Sequence, residues 1–338
     1  MNTSPLLSYI IAGQLQRNYI LLNDRQPFLD IPGGGLFYAA SGLALWDTGI
    51  GLIGRVGEDY PQYWLEQAAQ RGFDCQGIRI LPESIDLRNF VAYNGSDQPQ
   101  SDSPVAHFAR LGLEFPKALL EYTNNRNQLD SRIRLTSLTL RLNDIPSFYL
   151  DASAAHICPL DYVSHSLLPT TLRQGHVSVI SLDPSPGYMN PTYWDDIPVL
   201  LSGITAFHVS EEKITSLFQG RSTDLWEMAE TLASFGCEIV TIQRGSNGVY
   251  LYENASKIHW SIPAYPTTII DPTGNSDGFC GGFLAGYHQT YDSLQAALFG
   301  SVSASFTVEG TDAFYPLDAM PGLANARKQA LKDLVKKV

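Results

Sequence analysis

Strand-like apolar runs alternate with segments of helical period along most of the chain. The runs predicted as buried strands are Leu7–Ala12, Ile50–Gly54, Ala155–Cys158, Val177–Leu182, Ala206–Val209 and Ile239–Gln243. Most of them are followed by a segment that can form a helix. This alternation predicts an α/β fold, in which βαβ units wind a largely parallel sheet between two layers of helices.

Local signals predict some helix ends and one hairpin. Asp59 and Gln62 have the spacing of a capping box, which predicts a helix that begins there and ends at Arg71. Val249–Tyr252 and Lys257–Ser261 are predicted as an antiparallel hairpin. The remaining predicted helices are Phe37–Trp46, Ser276–His288, Leu294–Val308 and Ala324–Val338.

Two polar, β-rich stretches, Tyr19–Ile31 and Asp86–Arg110, interrupt this alternation. Within the second, Asn94–Ser103 has the composition of a flexible loop. We interpret the two stretches as a separate β-flap. The predicted division is therefore a core of residues 1–18, 32–85 and 105–338 with a lid of residues 19–31 and 86–104. The polar insert Phe115–Arg141 is left open, with a helix as one alternative.

Charge and cysteine content limit the classes of function. The net charge of -12 argues against a nucleic-acid or anionic membrane surface as partner. The apolar stretch Leu6–Ala12 is too short to span a bilayer. The four cysteines are far apart and show neither a C-x-x-C motif nor a metal-ligand spacing to the histidines. They are expected to be free thiols, which favours a reducing, cytoplasmic location.

The stretch Ile270–Tyr287 carries the strongest chemical signal. Gly274, Asn275 and Ser276 tolerate tight or left-handed backbone, so successive N–H groups can point into one concavity. The helix that follows adds its first-turn donors and its dipole, which predicts an anion site with Asp277 at the rim. Such a carboxylate can deprotonate a hydroxyl while amides hold a phosphoryl group. The simpler alternative is an ordinary helix start with Asp in the first turn.

Three glycine-rich segments are weaker signals. Gly49–Gly54 matches the dinucleotide pattern G-x-G-x-x-G and Asp74 follows it, but these glycines fall inside a predicted strand, so strand packing is favoured over a dehydrogenase. Pro32–Gly35 is either a turn or a platform that lets a polyhydroxylated substrate approach the backbone. Gln243–Gly248 is either a turn or a loop against a nucleotide.

Taken in order, these segments resemble the PfkB, ribokinase-like family of sugar and nucleoside kinases. The residues that carry the resemblance are Gly33–Gly35, Gly51–Asp59, Ser181–Pro186, Phe207–Lys213, Gln243–Gly248 and D-P-T-G-N-S-D-G-F at Asp271–Phe279. The last segment is the most specific, because the family signature there is D-x-x-G-A-G-D. The resemblance implies a ribokinase-like βαβ core with a small β-sheet lid, and an ATP-dependent kinase that phosphorylates a hydroxymethyl group of a sugar, nucleoside or related polyol.

The same resemblance implies roles for particular residues. Asp277 is expected to act as the general base, with Gly274, Asn275 and Ser276 as the anion hole. The residues expected to line the nucleotide are Gln243, Gly245, Ser246 and Gly248. Asn18, Gly33 and Gly34 are expected to face the substrate, and Asp271 and Thr273 to hold a monovalent cation such as K⁺. Mg²⁺ is expected with ATP, and the strand edges of the lid favour a homodimer as a further expectation.

Several positions depart from the family pattern. Asn275-Ser276 replaces Ala-Gly, and a positive φ at Ser276 would make its Cβ unfavourable. Asn18 replaces the acid that grips the sugar. Lys213 takes the place of the acid that organises magnesium, where Glu211 or Glu212 either substitutes or marks a solvated helix start. A catalytically decayed nucleotide- or sugar-binding protein is therefore the alternative to an active kinase.

Overall fold

The structure, a computed structural model, describes residues 7–23, 26–94, 99–124 and 129–338. The strands are β1 (Tyr9–Ala12), β2 (Gln16–Leu22), β3 (Phe28–Gly33), β4 (Ile50–Gly57), β5 (Phe73–Leu81), β6 (Arg88–Tyr93), β7 (Ala154–Ile157), β8 (Val179–Leu182), β9 (Ala206–Ser210), β10 (Ile239–Gln243), β11 (Val249–Glu253), β12 (Ile258–Ile262) and β13 (Lys336–Lys337). The helices are α1 (Gly35–Ala44), α2 (Gln62–Gln70), α3 (Pro104–Arg110), α4 (Tyr162–Arg173), α5 (Ile197–Leu201), α6 (Glu211–Leu217), α7 (Leu225–Ser234), α8 (Asn275–Thr290), α9 (Ser293–Thr307) and α10 (Leu323–Lys332).

The main sheet confirms the predicted α/β fold. In the described part of the chain it has ten strands in the order β13-β12-β11-β10-β9-β8-β7-β1-β4-β5. Neighbouring strands from β10 to β5 along this order are parallel, whereas β11, β12 and β13 are antiparallel to their neighbours. The loops after parallel strands therefore collect at one edge of the sheet, where α/β proteins bind their ligands.

Both faces of this sheet are covered by helices. Ile10 and Ala12 of β1 belong to an apolar cluster with helices α4 to α7, whereas Tyr9 and Ile11 belong to another with α1, α2 and α8. Because side chains of a strand alternate between its two faces, this split shows a three-layer arrangement. Helices α1 and α8 pack very closely, since a Cβ at Gly281 would overlap the carbonyl oxygen of Ala39.

A second, smaller sheet has the order β3-β2-β6. Strands β2 and β3 are antiparallel, and Arg17 and Asp30 join them by an ion pair of 2.7 Å. The predicted β-rich stretch Asp86–Arg110 is only partly a strand, because residues 104–110 form helix α3. Phe108 of this helix packs on Phe90 of β6 and helps to cover one face of the sheet. The division into core and lid at the predicted boundaries stays a prediction.

Some local predictions were wrong. Asp59 does not cap helix α2, whose N-cap is Pro61; its carboxylate instead accepts a hydrogen bond of 2.9 Å from the Ile85 amide. The last predicted helix ends at Lys332, because the chain then adds strand β13 to the sheet edge. In the described part of the insert Phe115–Arg141, the helical structure is a short 3₁₀ turn at Lys117–Leu119. Residues 95–98, within the predicted loop, lie outside the described residues.

All four cysteines, Cys75, Cys158, Cys237 and Cys280, are free thiols, and all but Cys75 are buried. Among the residues that the structure describes, none of the helices has the combination of length and hydrophobicity that crossing a bilayer requires.

Candidate active site

The predicted phosphate-binding turn lies at the N-terminus of α8. Gly274 is the N-cap of this helix, with φ 78° in the left-handed region, which a residue with a Cβ adopts only at a cost of about 1–2 kcal/mol. The ring of Tyr38 packs directly against it, since a Cβ at Gly274 would overlap this ring. Ser276 lies inside the helix and has no positive φ, so the strain anticipated for its Cβ does not arise.

Asp277 lies between two helix N-termini. It belongs to the first turn of α8, and its Oδ1 lies close to Gly35, the first residue of α1, where a Cβ would come within 2.6 Å of it. Negative charge is favoured at both places, by about 0.3–1 kcal/mol for each exposed helix terminus. The side chain is half-buried, so solvent or a substrate can reach it. The absence of a side chain at Gly35 is what makes room for the carboxylate.

The backbone amides of the turn are not equivalent. The Asn275 N–H donates to the Pro272 carbonyl oxygen at 3.2 Å, inside the turn itself. Gly278 N–H donates to the Gly274 carbonyl oxygen at 2.8 Å and thereby begins the helical ladder. The amides of Ser276 and Asp277 belong to the first turn, whose N–H groups have no carbonyl partner within a helix. These two amides are better candidates for an anion hole than that of Asn275.

A cleft of about 450 Å³ brings together the predicted nucleotide loop and the predicted phosphate turn. Its lining contains Asn275 and all of the residues predicted for the nucleotide, namely Gln243, Gly245, Ser246 and Gly248. Its remaining walls are largely apolar and include Val249, Ile269, Phe279 and Val308. A cleft of this size, with mostly apolar walls and a few polar groups, is typical of a small-molecule binding site.

The sequence interpretation missed one wall of this cleft. It is formed by Ser301, Ala304, Ser305 and Val308 near the end of α9, and by the segment 264–267. The spacing i, i+3, i+4, i+7 places the four residues on one side of a helix. In the sequence, the signal for this wall was a row of mostly small residues along one side of the predicted helix Leu294–Val308.

Asp271 and Thr273, the residues predicted to hold a monovalent cation, lie next to each other just before the turn. Asp271 is 1% exposed, and its Oδ1 accepts a hydrogen bond of 2.9 Å from the Thr273 amide. Its Oδ2 is buried and has no hydrogen-bond partner among the described residues. Burial raises the pKa of Asp271 to about 6, although Thr273 acts in the opposite direction. Thr273 Oγ1 also lies 3.1 Å from the Tyr93 hydroxyl, which links the small sheet to this turn.

A buried ion pair lies behind the turn. Lys213 Nζ donates to Asp183 Oδ1 at 2.6 Å, and Ser276 Oγ donates to the other carboxylate oxygen at 3.3 Å. Asp183 follows strand β8 in the predicted S-L-D-P-S-P segment, but its partner Lys213 was not foreseen. Glu211 pairs with Arg244 at 3.1 Å, and Glu212 is exposed at the start of α6. Their predicted place near magnesium stays a prediction.

The predicted substrate residues lie in the small sheet and where it leads into α1, with Asn18 on β2 and Gly33 at the end of β3. Asn18 is fully buried, with its Oδ1 accepting from Asn89 at 2.9 Å and its Nδ2 3.4 Å from the Tyr38 hydroxyl. Gly33 packs directly on the Asn18 amide, and Gly34 has φ 98° as the N-cap of α1. Burial raises the pKa of Tyr38 well above its ordinary value, so this phenol stays neutral. Tyr38 therefore contacts both the substrate-side Asn18 and the phosphate-side Gly274.

Comparisons with known proteins find similar sequences and similar folds among kinases. The family model described as pfkB family carbohydrate kinase matches residues 160–320, which include the nucleotide loop and the turn before α8. The chain is 27% identical over 290 residues to a cytidine kinase from Thermococcus kodakarensis, covering 83% of this chain and 89% of that protein. It is 23% identical over 305 residues to a 5-dehydro-2-deoxygluconokinase from Clostridium botulinum, covering 85% and 81% of the two chains.

Among solved structures, a proposed ribokinase II from E. coli in complex with ATP and Mg²⁺ has a similar fold. The TM-score is 0.72 at 17% identity, and the match covers 96% of this chain and 100% of that one. The sheet order and the separate small sheet define an α/β protein of the ribokinase-like fold. More specifically, residues 160–320 match the pfkB family carbohydrate kinase model, and most of the chain is similar in sequence or fold to carbohydrate and nucleoside kinases of the ribokinase-like type.

Proposed function

We propose that the protein transfers the γ-phosphoryl group of ATP to a hydroxymethyl group of a nucleoside or sugar, with Asp277 as general base. One observation carries this proposal. Asn275 lines the nucleotide-sized cleft, whereas Asp277, two residues later, is outside that lining and lies close to Gly35. In the proposed reaction ATP approaches the turn from the cleft and the acceptor hydroxyl approaches from the side of Asp277, as an in-line transfer requires.

In this mechanism, each group of the turn has one task. The carboxylate of Asp277 accepts the proton of the attacking hydroxyl. The amides of Gly274, Ser276 and Asp277 donate hydrogen bonds to the transferring phosphoryl oxygens, whose charge is spread in the transition state. The Lys213 ammonium neutralises Asp183, whose carboxylate accepts the Ser276 hydroxyl, so that this carboxylate does not repel the negative phosphoryl oxygens at the turn.

The two predicted cations differ in how well the residues fit them. A monovalent cation fits Asp271, whose buried Oδ2 has no hydrogen bond of normal geometry. When bound, it would neutralise this carboxylate and stabilise the turn that presents Gly274. A protein-held magnesium ion does not fit as well, because Asp183 is already neutralised by Lys213 and Glu211 is paired with Arg244. We infer that Mg²⁺ enters bound to the phosphates of ATP.

A non-catalytic binding protein is the second candidate. It is favoured by the Lys213–Asp183 ion pair in the place of the magnesium-organising acid, and by Tyr38, which covers the amide of Asn18. Both features would allow a nucleotide to bind while limiting the approach of an acceptor. The two candidates differ in whether bound ATP is turned over.

The experiment is a thermal-shift screen with MgATP and a panel of nucleosides and sugars, followed by ADP release and product mass for each hit. The kinase predicts an acceptor-dependent ADP release and a product heavier by one phosphate. Stabilisation by ligands with no product across the panel would favour the binding protein. Ala304→Phe, which fills the cleft from α9, is expected to raise the KM for ATP at least roughly tenfold by steric exclusion. Val199→Phe, on the exposed surface, is the control.

A further inference from the structure

A second cluster of polar side chains lies inside the protein, under helix α8. It consists of His156 on β7, His208 on β9 and Cys280 on α8, and all of them are fully buried. One nitrogen of each imidazole and the sulfur of Cys280 all lie within 4.8 Å of one another. These residues have no metal-ligand spacing along the chain. The fold brings them together because β7 and β9 are separated only by β8, and α8 packs on the same face of the sheet.

The strand register fixes the orientation of both imidazoles. His156 is paired in register with Ser181 of β8, and His208 with Thr241 of β10. The hydroxyl of each partner lies 2.8 Å from the Nδ1 of its histidine. Each ring is thus held through Nδ1 by a neighbouring hydroxyl, and its Nε2 is left for another partner. Metal-binding histidines are commonly held in this way through the nitrogen that does not bind the metal.

Neither Nε2 atom has a hydrogen-bond partner among the described residues, although both are buried. A buried polar atom without a partner is costly and needs an explanation. His165, which is equally buried, shows the contrast: its Nδ1 contacts the Tyr188 hydroxyl at 2.5 Å and its Nε2 contacts the Cys158 carbonyl oxygen at 2.9 Å. Among the three buried histidines of the described residues, only the two in the cluster therefore have an unsatisfied ring nitrogen.

We propose that His156, His208 and Cys280 bind a structural zinc ion. Two imidazoles and one thiolate are a ligand set that zinc accepts, with Zn–N near 2.0–2.1 Å and Zn–S near 2.3 Å. Tetrahedral geometry at these lengths separates the ligand atoms by roughly 3.3–3.8 Å, so small side-chain rotations bring the cluster into range. The amide of Gln243, whose Nε2 is 3.5 Å from Cys280 Sγ, can offer its oxygen as fourth ligand after a flip.

The zinc ion would connect two strands to the helix that carries the phosphate-binding turn. Cys280 follows Asp277 by about one helical turn, and Gln243 lines the nucleotide cleft. The expected role is to hold the start of α8 against the sheet. A single ordered water is the competing occupant, because it could also bond both Nε2 atoms.

The test is the zinc content of the full-length protein, expressed in zinc-supplemented medium and purified without a metal-affinity tag. We expect about one zinc per chain by mass spectrometry of the metal, and X-ray absorption at the zinc edge with one sulfur near 2.3 Å and nitrogen near 2.0 Å. Cys280→Ala is expected to lose at least roughly nine-tenths of the zinc. Cys237→Ala, which removes a buried thiol outside the cluster, is expected to keep it.

Two results together would overturn the proposal in favour of water: the wild-type protein contains no zinc, and Zn²⁺ added after refolding does not change its melting temperature. Zinc that Cys280→Ala retains, or zinc with only oxygen and nitrogen ligands, would overturn it as well. If Cys280→Ala fails to fold, the absorption spectrum of the wild type and the zinc content of His208→Gln decide. None of these measurements depends on kinase activity.

Discussion

The buried carboxylate of Asp271 is expected to make the folding stability of the protein depend on pH. Its pKa of about 6, against an ordinary value of 3.8, is caused mainly by burial. Because the folded state binds this proton more tightly than the unfolded chain, stability is fully present below pH 3.8 and is lost as the pH rises to about 6. At about 1.36 kcal/mol per pH unit, the loss is on the order of 3 kcal/mol.

Asp271→Asn keeps the acceptor for the Thr273 amide and removes the charge. We therefore expect the variant to lack this pH-dependent loss and, in buffers that contain only bulky organic cations, to be more stable than the wild type at pH 7.5. Potassium should raise the melting temperature of the wild type and leave that of the variant unchanged.

The assay is chemical unfolding from pH 4 to 8 with and without K⁺. Asp130, whose pKa burial also raises to about 6, supplies the control: Asp130→Asn should alter the pH profile but retain the response to potassium. Identical pH profiles of the wild type and Asp271→Asn would show that Asp271 does not cause the pH dependence. A potassium response that survives in Asp271→Asn would show that this carboxylate does not hold the cation.

Two glycine substitutions test the geometry of the turn. Gly35→Ala places a Cβ within 2.6 Å of Asp277 Oδ1, so we expect the carboxylate to be displaced. The kcat should fall at least tenfold, with a melting temperature close to that of the wild type. An unchanged kcat would mean that the position of the carboxylate is unimportant. Gly274→Ala has to adopt φ 78° and also overlaps Tyr38, so we expect a loss of more than about 1–2 kcal/mol in unfolding free energy. The double variant with Tyr38→Ser should regain only the steric part, and full recovery would contradict the backbone argument.

The sequence predicted the features that depend on local signals. The alternating strands and helices, the hairpin of β11 and β12, and the start of α8 were found because apolar period and glycine-rich turns are local properties. The capping-box pattern at Asp59 failed for a non-local reason. The amide of Ile85 donates to the same carboxylate, and the N-cap of helix α2 lies two residues after Asp59, at Pro61.

Tertiary contacts explain what could not be predicted. The contacts of Tyr38 with both Asn18 and Gly274 could not be predicted, because they depend on how α1 meets the small sheet and α8. Lys213 looked like the loss of an acid, whereas its partner Asp183 comes from another strand. Residues on different strands can become neighbours only because of the order of the strands in the sheet. Such pairs leave no spacing pattern in the sequence.

If Asp277 removes the proton from the acceptor hydroxyl, its loss should slow the chemical step itself. This step is measured by the single-turnover rate of phosphoryl transfer for Asp277→Asn, with saturating MgATP and an acceptor found by the screen. We expect a rate lower by about 10²–10⁴-fold, with ATP affinity and melting temperature close to those of the wild type. Transfer at the wild-type rate by a correctly folded Asp277→Asn protein would contradict this role of Asp277.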